Sequence, residues 1–305
     1  MLIKLTNMNS SGKIVKCVVL LVSMVTLAIA AVVLFGGKSP KPRAMPNPNG
    51  YDDFIRAGQM MAAPLGRYNK VSREELAALV ATNEEALKEL RAGLGRDCRM
   101  PEGQAPNYAG DLMSQLNIMK RLSAVPAAAG RLAELEGRTN DAVKCYLDGI
   151  RFGQEFSRGG IIGARSTGMN CERMHLKCLE SLAGGLGAQA CRDVVQGLEI
   201  IEAKEEPSDE TLADQEIWTA KTTPSLWDKI QHLRSYKSVR EYKQKFVQEF
   251  ESAELERRRV MLAFAARAYE LERGKRAQSA ADLVPGYLKS VPQDPTTGTN
   301  LVLGP

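Results

Sequence analysis

The chain has 305 residues, of which 44% are hydrophobic and only 6% aromatic. It is therefore long enough to bury a sizeable core, and its abundance of Ala, Leu, Glu and Arg disfavours an all-β fold. The net charge of +5 comes from residues 1–43, which hold six basic and no acidic side chains; the rest of the chain holds 35 basic and 36 acidic ones. The body therefore lacks the broad positive field that binds phosphate backbones, and nucleic acid is not an expected partner.

The first predicted element is a membrane span. Residues 1–17 form a short basic tail, and the run from Val18 to Phe35 carries no charge. Extended to Gly37, this run makes a helix about 30 Å long, which matches the hydrocarbon core of a bilayer. The sequence therefore predicts a transmembrane helix over 18–37 in contact with membrane lipid. It further predicts a single-pass protein of the inner (cytoplasmic) membrane, with the bulk of the chain periplasmic or extracytoplasmic.

A cleaved secretory signal is the alternative for this segment, because Ala28-Ile29-Ala30 has the small-x-small form of a cleavage site. Cutting there would leave the apolar residues 32–35 near a free N-terminus. The run is also longer than the roughly 7 to 15 apolar residues usual in a signal. We therefore interpret the segment as an uncleaved signal-anchor.

A Pro-rich linker is predicted at 38–50, since its four prolines fix φ and remove backbone donors. The helical repeat-like domain that follows covers residues 51–205. Its first clear signal is a capping box formed by Ser72 and Glu75, ahead of leucines at helical spacing. One continuous helix should start there and end at the glycines near residue 94.

A second helical pattern begins near Tyr108 and runs to Val125, where Pro126 should kink or end it. Residues 123–156 then show small, turn, small and aromatic positions, occupied by Gly130, Gly137, Ala142 and Tyr146. This spacing resembles one unit of a tetratricopeptide repeat, in which helix A packs closely on helix B across a short turn. An ordinary αα-hairpin explains the same residues equally well.

Two further helices are predicted over about 161–186, after the Ser157-Arg158-Gly159-Gly160 turn, and over about 189–203. Short connections between consecutive helices favour a stack of hairpins or a bundle. The predicted fold class is therefore mostly α: an N-terminal transmembrane helix, then a tetratricopeptide-like hairpin stack or bundle, and a short irregular C-terminal tail.

A polar segment and a long helix are predicted over residues 206–274. The polar part contains Trp218 and Trp227, which we interpret as core or hinge packing. The long helix, from about 239 to 273, carries a heptad-like seam that consists of Phe246, Phe250, Ala253, Arg257, Val260, Phe264, Ala268 and Leu271. Such a seam more often serves internal packing than an intermolecular coiled coil.

The C-terminal tail, residues 275–305, contains Ser279, Asp282, Leu283-Val284-Pro285, Tyr287-Leu288, Asp294-Pro295 and Gly298. It resembles the tail of pseudopilin-type proteins, in which a short helix follows a glycine and an Asp-Pro turn leads into strands. The Gly-Phe-Thr-Leu-x-Glu processing motif of that family is missing. Taken whole, the chain resembles uncharacterised bacterial single-pass membrane-anchored proteins, a resemblance that implies no known activity.

Residues that commonly carry chemistry are few. His175 and His232 are the two histidines, and neither has the spacing of a metal-ligand motif. The glycines at 159, 160 and 163 and at 184, 185 and 187 lack the Lys-Ser or Lys-Thr of a phosphate loop, so they are interpreted as turns and close helix contacts. The pairs Glu74-Glu75 and Glu205-Glu206 are interpreted as solvated surface charges.

Six cysteines are present, and Cys17 directly precedes the hydrophobic run. The other five are Cys98, Cys145, Cys171, Cys178 and Cys191. Their odd number favours buried small hydrophobic residues over a disulfide framework, and no Cys-x-x-Cys pair exists to start a zinc site.

No catalytic, cofactor-binding or metal-binding residue is therefore predicted, and no cofactor is expected. The predicted function is a membrane-anchored protein-interaction or scaffold module without catalytic activity, because stacked helix pairs offer a groove for a protein partner. Two alternatives stay open. One is a structural component of a pseudopilin-related envelope assembly, and the other is an enzyme whose site residues are distant in sequence.

Overall fold

The computed structural model describes residues 15, 18–26, 43–62, 65, 68–101, 108–222 and 236–304. These residues are mostly helical, as predicted, and their only β-pairing is one isolated bridge. Between residues 43 and 304 the described parts form the helices α1 Gly50–Met60, α2 Arg73–Thr82, α3 Glu84–Leu94, α4 Tyr108–Leu122, α5 Ala124–Leu135, α6 Thr139–Ser157, α7 Ile162–Leu182, α8 Ala188–Ala203, α9 Ser208–Thr222 and α10 Tyr236–Arg273. Short 3-10 helices lie at Ala183–Gly185 and Ala280–Leu283.

The N-terminal unit, residues 1–41, is described at residue 15 and at 18–26, where the chain is helical and its side chains are exposed. No helix in the described parts of the chain is long and apolar enough to cross a membrane. This finding contradicts the predicted transmembrane helix over 18–37. The predicted single-pass signal-anchor and inner-membrane location are wrong with it. Residues 27–37 lie outside the described residues.

The described part of the Pro-rich linker, residues 43–49, packs on the helical body. Asn49 is buried, and its amide donates to the Arg99 carbonyl oxygen at 2.8 Å while its Oδ1 accepts from the Arg99 N–H at 3.0 Å. The Arg43 guanidinium lies 3.4 Å from a carboxylate oxygen of Glu206. These contacts hold this part of the linker against the body.

The capping box predicted at the start of α2 is confirmed. Glu75 N–H donates to Ser72 Oγ at 3.2 Å, and Ser72 N–H donates to Glu75 Oε2 at 3.2 Å. The prediction of one continuous helix is wrong, because the chain breaks at Asn83 into α2 and α3. The Asn83 amide donates to the Leu79 carbonyl oxygen at 2.9 Å, and its Oδ1 accepts from the Ala62 N–H at 3.2 Å. This buried side chain therefore satisfies backbone groups at the break.

The boundary predicted at Pro126 lies at Ser123, where α4 ends and α5 begins. Pro126 itself sits in the first turn of α5. A proline is tolerated there because the first N–H groups of a helix have no intrahelical partner. Pro126 has no N–H to donate to the carbonyl oxygen of Leu122, the last residue of α4, so the helix ends near the proline as predicted, at Ser123 and not at Val125.

The hairpin of α5 and α6 brings together the small and aromatic residues singled out in the sequence. A Cβ on Gly130 would lie 2.5 Å from the Tyr146 ring, so the tyrosine packs directly on the α5 backbone. Gly137 follows α5 with a φ of +72°, a conformation that favours glycine. Ala142 is fully buried on α6. These contacts are those of a closely packed helix pair.

Helices α6 and α7 form the next close contact. A Cβ on Gly168 would lie 2.3 Å from the Gly153 carbonyl oxygen, which shows that the two backbones nearly touch. The helices predicted over 161–186 and 189–203 are confirmed as α7 and α8, although the last residues of the first form the 3-10 helix. Helix α8 packs on α6 and, more extensively, on α10.

The segment after α8 contains a helix that the sequence did not predict. Ser208–Thr222 is α9, and Trp218 is half-buried on it, while Trp227 lies outside the described residues. The long helix is confirmed as α10. Seven of the eight predicted seam residues are buried, and Leu271 is 41% exposed, so the seam serves internal packing.

The tail follows Gly274, which lies directly after α10 and has a φ of +67°. Leu283 and Leu288 are buried in the core that the tail shares with α8 and α10. Beyond them the chain doubles back, and an antiparallel bridge pairs Gln293 with Asn300. This tight turn, called the tail hairpin below, lies beside α10.

Candidate functional site

Four charged side chains form a closed ring inside the bundle, the charge ring, which consists of Arg165 and Glu172 of α7, Glu205 after α8, and Arg257 of α10. Each carboxylate binds both guanidinium groups. Arg165 donates to Glu172 Oε1 at 2.8 Å and to Glu205 Oε1 at 2.5 Å. Arg257 donates to Glu172 Oε2 at 3.1 Å and also binds Glu205. The side chains of Arg165, Glu172 and Arg257 are at most 2% exposed.

Neutral groups on the neighbouring helices complete the charge ring. Arg165 Nη1 donates to Ser157 Oγ at 3.3 Å, and its guanidinium carbon lies 5.4 Å from the centre of the Phe250 ring, within range of a cation–π interaction. The buried Gln154 amide is satisfied when its oxygen accepts from Arg257 Nη1 at 3.1 Å. The charge ring therefore joins α6, α7, the end of α8 and α10.

The electrostatics of the charge ring favour a positioning role. Burial lowers the pKa of Arg257, but the nearby carboxylates of Glu205 and Glu172 reverse this effect, so that its pKa is raised. Buried ion pairs contribute little net stability, because desolvation offsets their attraction, yet they fix relative geometry and are costly to break. The charge ring thus fixes the position of α10 and the face that α10 presents to solvent.

A second buried network lies next to the charge ring. Glu206 Oε2 accepts from the Gly159 N–H at 2.8 Å, and Oε1 lies 3.4 Å from Arg43 and 3.8 Å from Arg99. Arg99 in turn lies 3.1 Å from Asp214 of α9. This network ties the linker and α9 to the turn between α6 and α7.

The structure corrects one interpretation of acidic pairs and confirms another. Glu205 and Glu206 have side chains only 10% and 6% exposed, so their prediction as solvated charges is wrong. Both side chains are buried because they face arginines from distant elements. Glu74 and Glu75 are exposed as predicted.

The glycine clusters are turns, as interpreted. Gly159 has a φ of +69° in the turn between α6 and α7, and Gly160 lies beside it. Gly184 and Gly185 belong to the 3-10 helix after α7, and a Cβ on either would meet no atom within 4 Å. Neither cluster forms a backbone cradle that precedes a lysine.

The five cysteines that the structure describes are free thiols, and Cys178 is the least buried of them. Burial raises the pKa of all five, that of Cys171 to about 11. Thiols of this kind are poor nucleophiles near neutral pH. Among the described residues, no group of three or more His, Cys, Asp or Glu side chains is placed to hold a metal ion.

His175 is completely buried on α7, against Gly149 of α6, and His232 lies outside the described residues. The His175 Nδ1 lies 2.8 Å from the Cys171 carbonyl oxygen and donates to it. Burial lowers the pKa of His175 to about 4, and hydrogen bonds to the backbone of Cys171 and Ser123 partly oppose this shift. The histidine is therefore a neutral core residue at physiological pH.

This buried histidine predicts a loss of stability in acid. Its pKa is about 4 in the folded protein against 6.5 unfolded, so the unfolded chain binds the proton more tightly. The stabilisation is complete above pH 6.5 and is lost as the pH falls towards 4, by up to roughly 3 kcal/mol. Urea-unfolding free energies at several pH values in this window measure the loss. The His175→Asn variant keeps a donor without titrating, so its free energy should fall less steeply; equal slopes would contradict the prediction.

A groove of about 590 Å³, the tail groove, runs along the outer face of α10. Its α10 wall consists of Arg259, Leu262, Ala263, Ala266, Arg267 and Glu270. The facing side consists of Glu180, Arg276, Ala277 and residues 302–304. The groove thus combines an apolar floor with a charged rim, and Val302 on its edge is 83% exposed.

A second groove, of about 340 Å³, lies between α6 and α8. Its apolar lining includes Leu147 and the 46% exposed Ile200. Both of its walls are helices, so neither wall offers the open edge of a strand.

No protein-family model matches the chain, and no match is found among curated proteins or solved structures.

Proposed function

We propose that this protein is a protein-interaction or scaffold module without catalytic activity, and that residues 123–156 form a tetratricopeptide-like unit of its helical stack. The contact of Gly130 with Tyr146 and the burial of Ala142 support the repeat-like unit, because close packing of paired helices is what such repeats require. Stacked helix pairs leave grooves that bind segments of partner proteins.

The tail groove is the observation that carries this proposal. Its α10 wall lies on the face opposite to the buried seam, and the charge ring holds that helix in place. Ala263 is exposed at its floor, where a partner side chain can reach it. The charged side chains of the charge ring bind each other, whereas the tail groove offers a second molecule an apolar surface and the guanidinium group of Arg259.

Site-specific photo-crosslinking tests the proposal. A photoreactive phenylalanine analogue placed at Ala263 in the full chain should give discrete adducts in the native host. The same analogue at Ala92, an exposed alanine of α3 outside the groove, should not give those adducts. Identical adduct patterns at both positions, or none at Ala263, would contradict a binding role for the groove.

The tail favours a second candidate function, a structural subunit of an assembly related to pseudopilins. The glycine-ended helix, the 3-10 helix and the Asp294 turn are arranged in the order expected from that resemblance. Sedimentation of the full chain should then reveal discrete oligomers that dissociate when the tail is altered. A monomer at all concentrations would argue against this role.

A further inference from the structure

We propose that the tail groove binds an extended peptide, which adds a strand to the open edge of the tail hairpin and carries at least one acidic side chain. This inference rests on the proposed function. It specifies how the partner binds and which chemistry the partner must have.

The open edge follows from the hydrogen bonds of the tail hairpin. Asp294 N–H donates to the Thr299 carbonyl oxygen at 2.8 Å, and Leu301 N–H donates to the Pro292 carbonyl oxygen at 2.8 Å. Backbone groups of successive residues in a strand point to opposite edges. The N–H and C=O groups of Val302 therefore lie on the other edge, where they make no backbone hydrogen bond with any described residue.

An unpaired strand edge is a template for another strand, and side-chain sites beside it provide specificity. Residues 302–304 line the tail groove together with α10. The α10 wall from Arg259 to Glu270 is about 16 Å long at 1.5 Å per residue. An extended peptide of about five residues has the same length, and its apolar side chains would face Ala263 and Ala266.

The charges of the rim select an acidic peptide. Three guanidinium groups face two carboxylates in the groove. Glu270 lies 3.0 Å from Arg267 and 3.5 Å from Arg276, so one carboxylate serves two arginines. Arg259 has no ion pair within the described parts of the chain, and Arg276 is 81% exposed. A carboxylate on the peptide would pair with these under-used cations.

The groove between α6 and α8 has neither an open strand edge nor an excess of basic groups. Its walls are helices without an open edge, and its charged residues are two basic and two acidic, namely Lys144, Arg151, Asp148 and Asp193. The tail groove is therefore the surface that fits an extended acidic peptide.

Selection from a phage library of random heptapeptides on the full-length protein is the first test. Phage that also bind the Ala263→Trp variant, whose new side chain fills the groove, are removed. We expect the retained peptides to carry apolar residues at alternate positions and an acidic residue. Apolar residues spaced three and four apart would indicate a peptide bound as a helix, and this result would overturn the proposal. A basic consensus, or no enrichment of any sequence, would also overturn it.

The strand edge is tested with the selected peptide and two substitutions at one position. Val302→Pro removes the N–H donor, whereas Val302→Ala keeps it. We expect about tenfold weaker binding for the first and about twofold or less for the second, measured by fluorescence anisotropy. Equal binding of the two variants, at matched thermal stability, would overturn strand addition.

Charge selectivity is tested by Arg259→Glu, which should weaken binding of the acidic peptide about tenfold. Lys144→Glu in the other groove is the matched control and should leave binding unchanged. Unaltered binding by the Arg259 variant would overturn the acidic preference. Adducts at Ala263 without any of these peptide effects would leave the proposed function standing while this inference fails.

Discussion

Replacing Arg257 by Met is expected to lower the free energy of unfolding by about 3–5 kcal/mol, because it leaves two buried carboxylates with one guanidinium between them. Glu172 is 2% exposed and Glu205 10% exposed, so water cannot replace the lost partner. Arg165 would still bind both carboxylates, but it cannot neutralise two negative charges. Urea denaturation followed by circular dichroism measures the loss.

The matched control is Arg173→Met on α7. Arg173 lies 3.1 Å from Glu256, and both side chains are about 30% exposed, so removing this surface pair should cost only about 0–1 kcal/mol. The double variant Arg257→Met with Glu172→Met restores charge balance within the charge ring. Its loss should be smaller than the sum of the two single losses. Additive losses, or a loss from Arg257→Met no larger than the control, would show that the charges act independently.

The sequence predicted much of the helical framework, because the signals for helices are local. The capping box located the start of α2, the Ser157-Arg158-Gly159-Gly160 turn located the start of α7, and apolar spacing identified the α10 seam almost completely. The break at Asn83 was not predicted, because the leucine spacing continues through it. The Asn83 side chain accepts from the N–H of Ala62, twenty-one residues away, and this contact has no local signal in the sequence. The hydrophobic N-terminal run illustrates a different error: its composition matches a membrane span, but no described helix has the length and apolarity to make one.

The charge ring and the tail groove were harder to predict, because they depend on contacts between distant residues. An arginine inside the apolar seam was a signal that acidic partners must be buried beside Arg257. A single sequence cannot say that these partners are Glu172, 85 residues away, and Glu205, 52 residues away. The tail groove likewise joins α10 to residues 302–304, and its open edge depends on a hairpin that hydropathy does not reveal.

Replacing Ala142 by Arg is expected to destabilise the hairpin of α5 and α6 by on the order of 3 kcal/mol or more. Ala142 is 0% exposed and belongs to the same core cluster as Tyr146 and Leu176. A guanidinium at this position must either remain buried without an acidic partner or force the helices apart. Both outcomes destabilise the core cluster that Ala142 shares with Tyr146.

The matched control is the same substitution at Ala92, which is exposed on α3. Arginine and alanine both favour helix, so Ala92→Arg should change the free energy of unfolding by no more than about 0.5 kcal/mol. Urea denaturation of both variants at pH 7.5, where His175 is neutral, separates this effect from the acid-dependent one. Because α5 and α6 are the pair proposed as a repeat unit, equal stabilities of the two variants would place Ala142 outside the helix contact and remove the packing argument for that unit.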